Sequence, residues 1–292
     1  MKQVIFKGCA TALITPFKDN KLDEKALKKI VTHQLDNGVS SLVACGTTGE
    51  PPTLSQEEWE KVISICVKEV AGAVPVIAGT GSNNTLSVVE KAKKAEKLGA
   101  QAQLVVTPYY NKTTQEGLVK HFSYIAKNSD LPIIVYNVPS RTGMTIDPQT
   151  IAELSQIDNI VAVKEATSDL ALLADMLNAC NGELSFYSGS DESIMPFMAL
   201  GGLGVISVLS NAAPKFVSVL TDLVLKGEYK RAAEMQVKAM PLIRMLFSKT
   251  SPIPIKAAMS LMGLCENELR LPLVPMQDTS KLKQLMEELN LL

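Results

Sequence analysis

The chain has 292 residues, of which 46% are hydrophobic and 20% are charged, and its formal net charge at pH 7 is −1. This much apolar material can fill a large core, and single α/β barrels commonly reach roughly 250 residues. Because Lys and Arg are balanced by Asp and Glu, the composition argues against a nucleic acid or a membrane surface as partner, since both favour a basic excess.

The five cysteines are scattered and form no CxxC pair. An odd, dispersed set disfavours a disulfide framework and a structural zinc site, so we expect free, buried thiols. The N-terminal segment has no long apolar stretch with a cleavage site, and no apolar run approaches the ~20 residues that a membrane span needs. We therefore predict a cytoplasmic protein without a membrane partner.

Short runs rich in β-branched residues alternate with longer helical patterns along most of the chain. Several of these runs are continuously apolar, which is typical of parallel strands that are covered on both faces. The predicted strands are Gly8–Leu13, Ser41–Ala44, Pro75–Ala78, Ala102–Val106, Ile133–Tyr136, Ile160–Val163, Leu184–Tyr187 and Val205–Val208.

The helical patterns between the strands have recognisable ends. Ser55-Gln56-Glu57-Glu58 is a capping box, Gly99 is a candidate left-handed cap, and Asp147-Pro148 places proline at a first helical position. The predicted helices are Glu24–Asp36, Ser55–Val70, Asn84–Leu98, Thr114–Asn128, one that opens at Asp147-Pro148, Asp169–Asn178, Glu192–Leu200 and Pro214–Lys226.

Strict alternation of eight strands with eight helices predicts an α/β fold, a closed (β/α)8 TIM barrel over residues 1–226. An open sheet with an antiparallel edge is the alternative. Only helical patterns follow, at about Tyr229–Phe247, Ile253–Met262 and Thr279–Leu289, so residues 227–292 are predicted to form a three-helix appendage. The usual nucleotide-binding glycine motifs do not follow the first strand.

Active sites of such barrels lie at the carboxyl ends of the strands. Lys164 is the only lysine at such an end, directly after the apolar run Ile160–Val163. Burial there would lower its pKa and free the amine to attack a carbonyl, whereas pairing with the neighbouring Glu165 is the structural alternative. The only histidines, His33 and His121, fall within helical patterns, which disfavours a His-ligated metal or a Ser–His triad.

Three further strand ends carry polar candidates. Tyr136 could exchange protons with an imine-forming carbonyl, or simply plug the core. Thr47-Thr48 lies between two glycines and could hold a carboxylate, or form a plain tight turn. Arg141 suits a bidentate carboxylate contact, or a surface ion pair. A phosphate site at Ser188-Gly189-Ser190 is a weaker possibility, because no helix-opening glycine pattern accompanies it.

Taken together, these strand ends resemble the dihydrodipicolinate synthase (4-hydroxy-tetrahydrodipicolinate synthase) family over essentially the whole chain. The wider superfamily includes N-acetylneuraminate lyase and 2-keto-3-deoxy sugar-acid aldolases, and the double threonine, the second tyrosine and the arginine loop resemble the synthase branch. The five motifs that carry the resemblance are Gly46-Thr47-Thr48-Gly49-Glu50, Thr107-Pro108-Tyr109-Tyr110-Asn111, Tyr136-Asn137-Val138-Pro139-Ser140-Arg141-Thr142-Gly143, Val163-Lys164-Glu165-Ala166 and Gly201-Gly202-Leu203-Gly204-Val205-Ile206-Ser207.

The resemblance implies a Schiff-base lyase of lysine and diaminopimelate biosynthesis. It would condense two small molecules, pyruvate and L-aspartate 4-semialdehyde, to 4-hydroxy-tetrahydrodipicolinate with no metal or organic cofactor. It also implies a homotetramer built as a dimer of dimers. The implied catalytic residues are Lys164, Tyr136, Thr47 and Tyr110, the last reaching across the tight dimer interface, and the implied substrate-binding residues are Thr48, Arg141, Gly189 and Ile206.

Three rival functions stay open at this point. The nearest is a retro-aldolase of the same superfamily that acts on N-acetylneuraminate or 2-keto-3-deoxygluconate. The others are a non-catalytic barrel that senses a small carboxylate and a barrel enzyme that binds phosphate.

Overall fold

The structure is a computed structural model that describes residues 2–292. Eight parallel strands close into a barrel in the order β1-β10-β9-β8-β7-β6-β5-β4, which confirms the (β/α)8 prediction and excludes the open sheet. The barrel strands are β1 Gly8–Ala12, β4 Ser41–Ala44, β5 Val76–Gly79, β6 Ala102–Val106, β7 Ile133–Asn137, β8 Ile160–Glu165, β9 Ser185–Ser188 and β10 Gly204–Ser207, and a hairpin is formed by β2 Phe17–Lys18 and β3 Lys21–Leu22.

Strand residues alternate between the barrel interior and the layer under the helices. On β7, Ile134 and Tyr136 belong to the interior cluster, whereas Val135 belongs to an outer cluster. On β8, Ala162 is interior and Val163 is outer. Because side chains on a strand alternate with a period of two, the residue that follows Val163 faces the barrel interior.

The helices cover the barrel as predicted, with small shifts at their ends. The capping box at Ser55 is present, Gly99 has φ +89°, and Pro148 opens its helix, although the Asp147 side chain makes no capping bond. The helices are α1 Glu24–Asp36, α2 Gln56–Val70, α3 Thr85–Lys97, α4 Gln115–Lys127, α5 Pro139–Thr142, α6 Pro148–Leu154, α7 Leu170–Ala179, α8 Ile194–Ala199, α9 Pro214–Leu225, α10 Tyr229–Leu246, α11 Ile253–Leu261 and α12 Ser280–Glu288.

Some local predictions were wrong. The predicted helix Glu192–Leu200 begins two residues later, as α8 Ile194–Ala199, and the 3-10 segment Asp191–Ser193 precedes it. β8 runs two residues beyond the predicted end at Val163, and the β2–β3 hairpin was not predicted. Its turn residues, Asp19 and Asn20, have φ of 53° and 58°, which these residue types tolerate.

The three C-terminal helices pack onto the barrel. Leu242 of α10, Met259 of α11 and Leu282 of α12 share one hydrophobic cluster with Leu42 of β4 and Cys66 of α2. Within residues 2–292, no helix combines the length and the apolar character that crossing a membrane would demand.

Candidate active site

Lys164 lies on β8 in register with Tyr136 on β7 and Tyr187 on β9. Its side chain is 5% exposed, and its Nζ lies 4.3 Å from the centroid of the Tyr136 ring. Burial lowers the pKa of Lys164 to about 7, and the Arg141 guanidinium adds to this shift, whereas the Asp191 carboxylate opposes it. At neutral pH a large fraction of this amine is therefore unprotonated and nucleophilic.

Glu165 does not pair with Lys164, so that structural alternative is wrong. The Glu165 carboxylate accepts hydrogen bonds from Nδ2 of Asn137 and from the backbone N–H of Thr167, both at 2.7 Å. Lys164 consequently has no carboxylate partner on its own strand.

Tyr136 is the aromatic residue whose ring lies beside the Lys164 amine. Burial raises the pKa of its phenol to about 12, against the lowering influence of Arg141 and the Thr47 side chain. The phenol is therefore protonated at neutral pH and can donate a proton. Tyr136 packs in the interior cluster and also lines a cavity, so it does not only fill the core.

The turn after β4 consists of two 3-10 helices, Thr47–Gly49 and Pro51–Thr53, joined at Glu50, whose φ is 53°. The turn sits close over the end of β5. A Cβ on Gly79 would lie 2.0 Å from the carbonyl oxygen of Cys45, so only glycine permits this approach. The result is that Thr47 faces the cavity mouth.

A cavity of about 360 Å³ opens at the carboxyl end of the barrel. Thr47, Tyr136 and Arg141 line its barrel side. Its other wall comes from the appendage, through Ser251-Pro252 and Pro272-Leu273. The volume suits a small organic ligand.

A buried ion pair links the appendage side of the cavity to the turn after β4, and the sequence analysis did not predict it. Lys256 on α11 pairs with Glu50, and both side chains are at most 1% exposed. The second Glu50 oxygen accepts a hydrogen bond from the backbone N–H of Arg270 at 3.1 Å. Arg270 in turn donates twice to Glu58, at 2.6 Å each, and Lys256 and Arg270 both lie over the Phe17 ring.

Of the predicted substrate-binding residues, only Arg141 lines the cavity. Arg141 lines the cavity and donates to the Ser251 carbonyl at 3.1 Å, and it makes no ion pair with any residue of 2–292, so the surface-pair alternative is wrong. Tyr110 is 94% exposed and stands outside the cavity of its own chain.

Lys164, Thr48, Gly189 and Ile206 are not among the residues that line the cavity. Thr48 is 4% exposed, and Ile206 belongs to the interior cluster with Tyr136. The N–H of Gly189 donates to the Glu165 carbonyl at 2.6 Å, and a Cβ there would lie 2.6 Å from that of Ala166. Glycine is thus required where the ends of β8 and β9 meet.

A buried lysine with a lowered pKa at the carboxyl end of a (β/α)8 barrel strand is a group that can attack a carbonyl carbon. Residues 5–290 match the family model described as the dihydrodipicolinate synthetase family, and the chain belongs to that family.

Named relatives and solved structures agree with this assignment. The chain is 47% identical over 94% of its length to a 4-hydroxy-tetrahydrodipicolinate synthase of Thermoanaerobacter sp. (strain X514), 93% of which is covered. It is 46% identical to the enzyme of that name from Syntrophus aciditrophicus, over 99% of this chain and 100% of the relative.

Two crystal structures show the same fold along the whole chain. The dihydrodipicolinate synthase of Thermotoga maritima superposes with a TM-score of 0.97 at 43% identity, covering 99% of this chain and 100% of that one. The chloride-inhibited enzyme of Acinetobacter baumannii, solved in complex with pyruvate, gives a TM-score of 0.97 at 40% identity with the same coverage.

Proposed function

We propose that this chain condenses pyruvate with L-aspartate 4-semialdehyde to give 4-hydroxy-tetrahydrodipicolinate, a step towards lysine and diaminopimelate. The observation that carries the proposal is the buried Lys164 amine, with its pKa lowered to about 7 and its Nζ 4.3 Å from the ring centroid of Tyr136, which lines the cavity. Relatives at 45–48% identity bear the name of this activity, and the Acinetobacter baumannii enzyme was crystallised with pyruvate.

The chemistry begins with attack of the unprotonated Lys164 Nζ on the ketone carbon of pyruvate. The carbinolamine takes up one proton and loses water, which leaves a protonated imine. Loss of a methyl proton gives the enamine, whose carbon forms the new bond to the aldehyde carbon as the aldehyde oxygen gains a proton. The amino group of the second substrate then attacks the imine carbon, closes the ring and releases Lys164.

We assign the supply and recovery of protons in these steps to the protonated Tyr136 phenol, with Thr47 as its neighbour in the relay. We assign the pyruvate carboxylate to Thr47 and Thr48, and the backbone groups of Gly189 and Ile206 to the floor of the pyruvate site. Arg141 is exposed at the cavity wall, where its fork suits the carboxylate of the second substrate.

Borohydride reduction tests the covalent step directly. With pyruvate present, digestion and mass spectrometry are expected to find the reduced pyruvate adduct on the peptide that carries Lys164, and without pyruvate no adduct. An adduct confined to another lysine would contradict the proposal. Turnover with aspartate semialdehyde, compared with N-acetylneuraminate and 2-keto-3-deoxygluconate, separates the synthase from the sugar-acid retro-aldolases.

The initial rate of pyruvate trapping is expected to rise with pH and to reach half its plateau near pH 7. The unprotonated fraction of Lys164 increases as the pH passes through its pKa of about 7, and only that form attacks. Stopped-time borohydride trapping from pH 5 to 9 measures the midpoint. A midpoint near 10, as for an ordinary lysine, would show that the amine is not sequestered.

Tyr136→Phe is expected to lower kcat by about 10²–10³-fold while the Lys164 adduct still forms, because the variant keeps the ring but loses the proton donor. Tyr187→Phe is the matched control. Its phenol is buried in the same barrel and donates to the Phe6 carbonyl at 2.8 Å, away from the cavity. Equal losses of kcat in both variants would remove Tyr136 from the relay.

We further propose a cytoplasmic homotetramer, a dimer of dimers in which Tyr110 enters the relay of the neighbouring subunit. The 94% exposure of Tyr110 supports a role outside its own chain, and the five free cysteines suit a reducing compartment. A variant forced to be monomeric is expected to lose most of its kcat, as judged by sedimentation and turnover at one concentration. A fully active monomer would rule out the shared relay.

A further inference from the structure

Two buried polar residues directly follow the amine and the phenol of the proposed reaction. Asn137 follows Tyr136 on β7, Glu165 follows Lys164 on β8, and both Asn137 and Glu165 are at most 2% exposed. The strand register sets Tyr136 beside Lys164 and Asn137 beside Glu165. Tyr136 packs in the barrel interior, and successive side chains on a strand point to opposite faces. Asn137 and Glu165 therefore lie on the outer face of the same two strand ends.

Hydrogen bonds use every nitrogen and oxygen of these two side chains. Nδ2 of Asn137 donates to Oε2 of Glu165 at 2.7 Å. Oδ1 of Asn137 accepts from the backbone N–H of Ile146 at 3.2 Å, and Oε1 of Glu165 accepts from the backbone N–H of Thr167 at 2.7 Å. Burial raises the pKa of Glu165, whereas the hydrogen bonds from Asn137 and Thr167 act to lower it. We call the two residues the Asn137–Glu165 pair.

The Asn137–Glu165 pair lies beyond an irregularity in the pairing of β7 with β8. The register advances by one residue on β7, from Ile133 to Ile134, but by two on β8, from Ile160 to Ala162. β8 therefore carries one extra residue, which disrupts the ladder locally. A register shift of one residue would move every later side chain to the other face and would take Lys164 out of the barrel interior.

The apolar part of β8 specifies its register only weakly. Every position of Ile160–Val163 is apolar and buried, so a shifted strand would still present apolar side chains on both faces. The hydrogen bond between Asn137 and Glu165 is directional, and it forms only when these two residues lie side by side. This contact thus distinguishes the observed register from a shifted one.

The Asn137–Glu165 pair also anchors the loops that follow both strands. Ile146 lies beyond α5, so its hydrogen bond to Asn137 closes the segment 138–145 that carries Arg141. Thr167 follows β8, and its hydrogen bond to Glu165 holds the first turn of the next loop. A displaced pair would therefore disturb the arginine loop as well as the two strand ends.

We propose that Asn137 and Glu165 are positioning residues: their hydrogen bond holds the ends of β7 and β8 in the register that places the Tyr136 ring beside the Lys164 amine. The two residues act through their neighbours in the chain and do not touch the substrate. The Lys164 Nζ lies 4.3 Å from the Tyr136 ring centroid in this register. The inference rests on the proposed function, because it presupposes that Tyr136 exchanges protons with intermediates on Lys164.

Exchanging the acid and the amide tests the pair. Glu165→Gln sets an NH2 group where an oxygen accepted a hydrogen bond, and Asn137→Asp sets two carboxyl groups face to face, so each single variant leaves a buried polar group without a partner. Each is expected to lower kcat by about 10–100-fold through misplacement of the phenol, while borohydride still traps pyruvate on Lys164.

The double variant Asn137→Asp/Glu165→Gln restores a donor opposite each acceptor. The new amide can donate to the new carboxylate, and Ile146 and Thr167 again face oxygens. Its kcat is expected to return to within about threefold of the parent, because the exchanged side chains have the same lengths and hydrogen bonds. A double variant as slow as the single variants, or one that does not fold, would overturn the proposal.

A Tyr136→Phe background separates positioning from a general loss of stability. If the pair acts through the phenol, Glu165→Gln is expected to lower kcat by less than about twofold once the phenol is absent. An equal loss in both backgrounds would overturn the proposal. If Glu165→Gln does not fold, Glu165→Asp takes its place, since it keeps the carboxylate but shortens the side chain by one carbon.

Asn159→Asp is the control at the opposite end of β8. Nδ2 of Asn159 donates to the carbonyls of Ala126 at 3.0 Å and Ser129 at 2.8 Å. The variant is expected to unfold at a lower urea concentration without a loss of kcat, and a loss equal to that of Glu165→Gln would overturn the proposal. Unchanged turnover in Tyr136→Phe alone is a separate result, which would overturn the proposed relay and with it the positioning role.

Discussion

Lys164→Ala is expected to abolish the borohydride-trapped adduct and to lower kcat by about 10³-fold or more, because no other group can form the covalent intermediate. Mass spectrometry of the digested protein and steady-state turnover measure the two losses. Lys164 is not among the residues that line the cavity. We therefore expect the variant to keep its fold, with an unchanged circular dichroism spectrum.

The chain carries its own control for this experiment. Lys256 is equally buried, but its amine is engaged by Glu50, so the peptide that contains it is expected to stay unmodified in both proteins. Turnover of Lys164→Ala within tenfold of the unaltered protein would show that the reaction does not pass through this amine.

Lys256→Met is expected to lower the free energy of unfolding by about 3–5 kcal/mol, because it leaves the Glu50 carboxylate buried without its counter-ion. Urea unfolding followed by circular dichroism measures the change. We also expect the substitution to displace Thr47, because Glu50 joins the two short helices that hold Thr47 at the cavity.

Two comparison variants separate the buried pair from a general effect of removing a lysine. Lys120→Met breaks an exposed pair with Glu116 and is expected to change the free energy of unfolding by no more than about 0.5 kcal/mol. The double variant Glu50→Gln/Lys256→Met is expected to recover much of the loss, because no uncompensated charge is left. A Lys256→Met protein as stable as the parent would show that water reaches Glu50.

Local patterns predicted most of the fold. Short β-branched runs between helical patterns identified all eight barrel strands, and several of these runs are continuously apolar, as in strands that are buried on both faces. Capping chemistry placed the start of α2 at Ser55, where both halves of the capping box are formed. Lys164 was identifiable because a lysine that directly follows an apolar strand has few ways to remain solvated.

Long-range contacts escaped prediction for a physical reason. Glu50 and Lys256 lie 206 residues apart, and the sequence around neither residue predicts the pairing. The catalytic roles assigned to Lys164, Tyr136, Thr47 and Tyr110 and the binding roles assigned to Thr48, Arg141, Gly189 and Ile206 stay predictions.

The cavity divides its two walls between different stretches of chain. The barrel supplies Thr47, Tyr136 and Arg141, while the tail supplies Ser251-Pro252 and Pro272-Leu273. Evolution can therefore reshape the pocket for a longer or bulkier aldehyde by altering the tail, while the imine-forming machinery is inherited intact. The aldehyde substrate can therefore change while the residues that react with pyruvate stay the same.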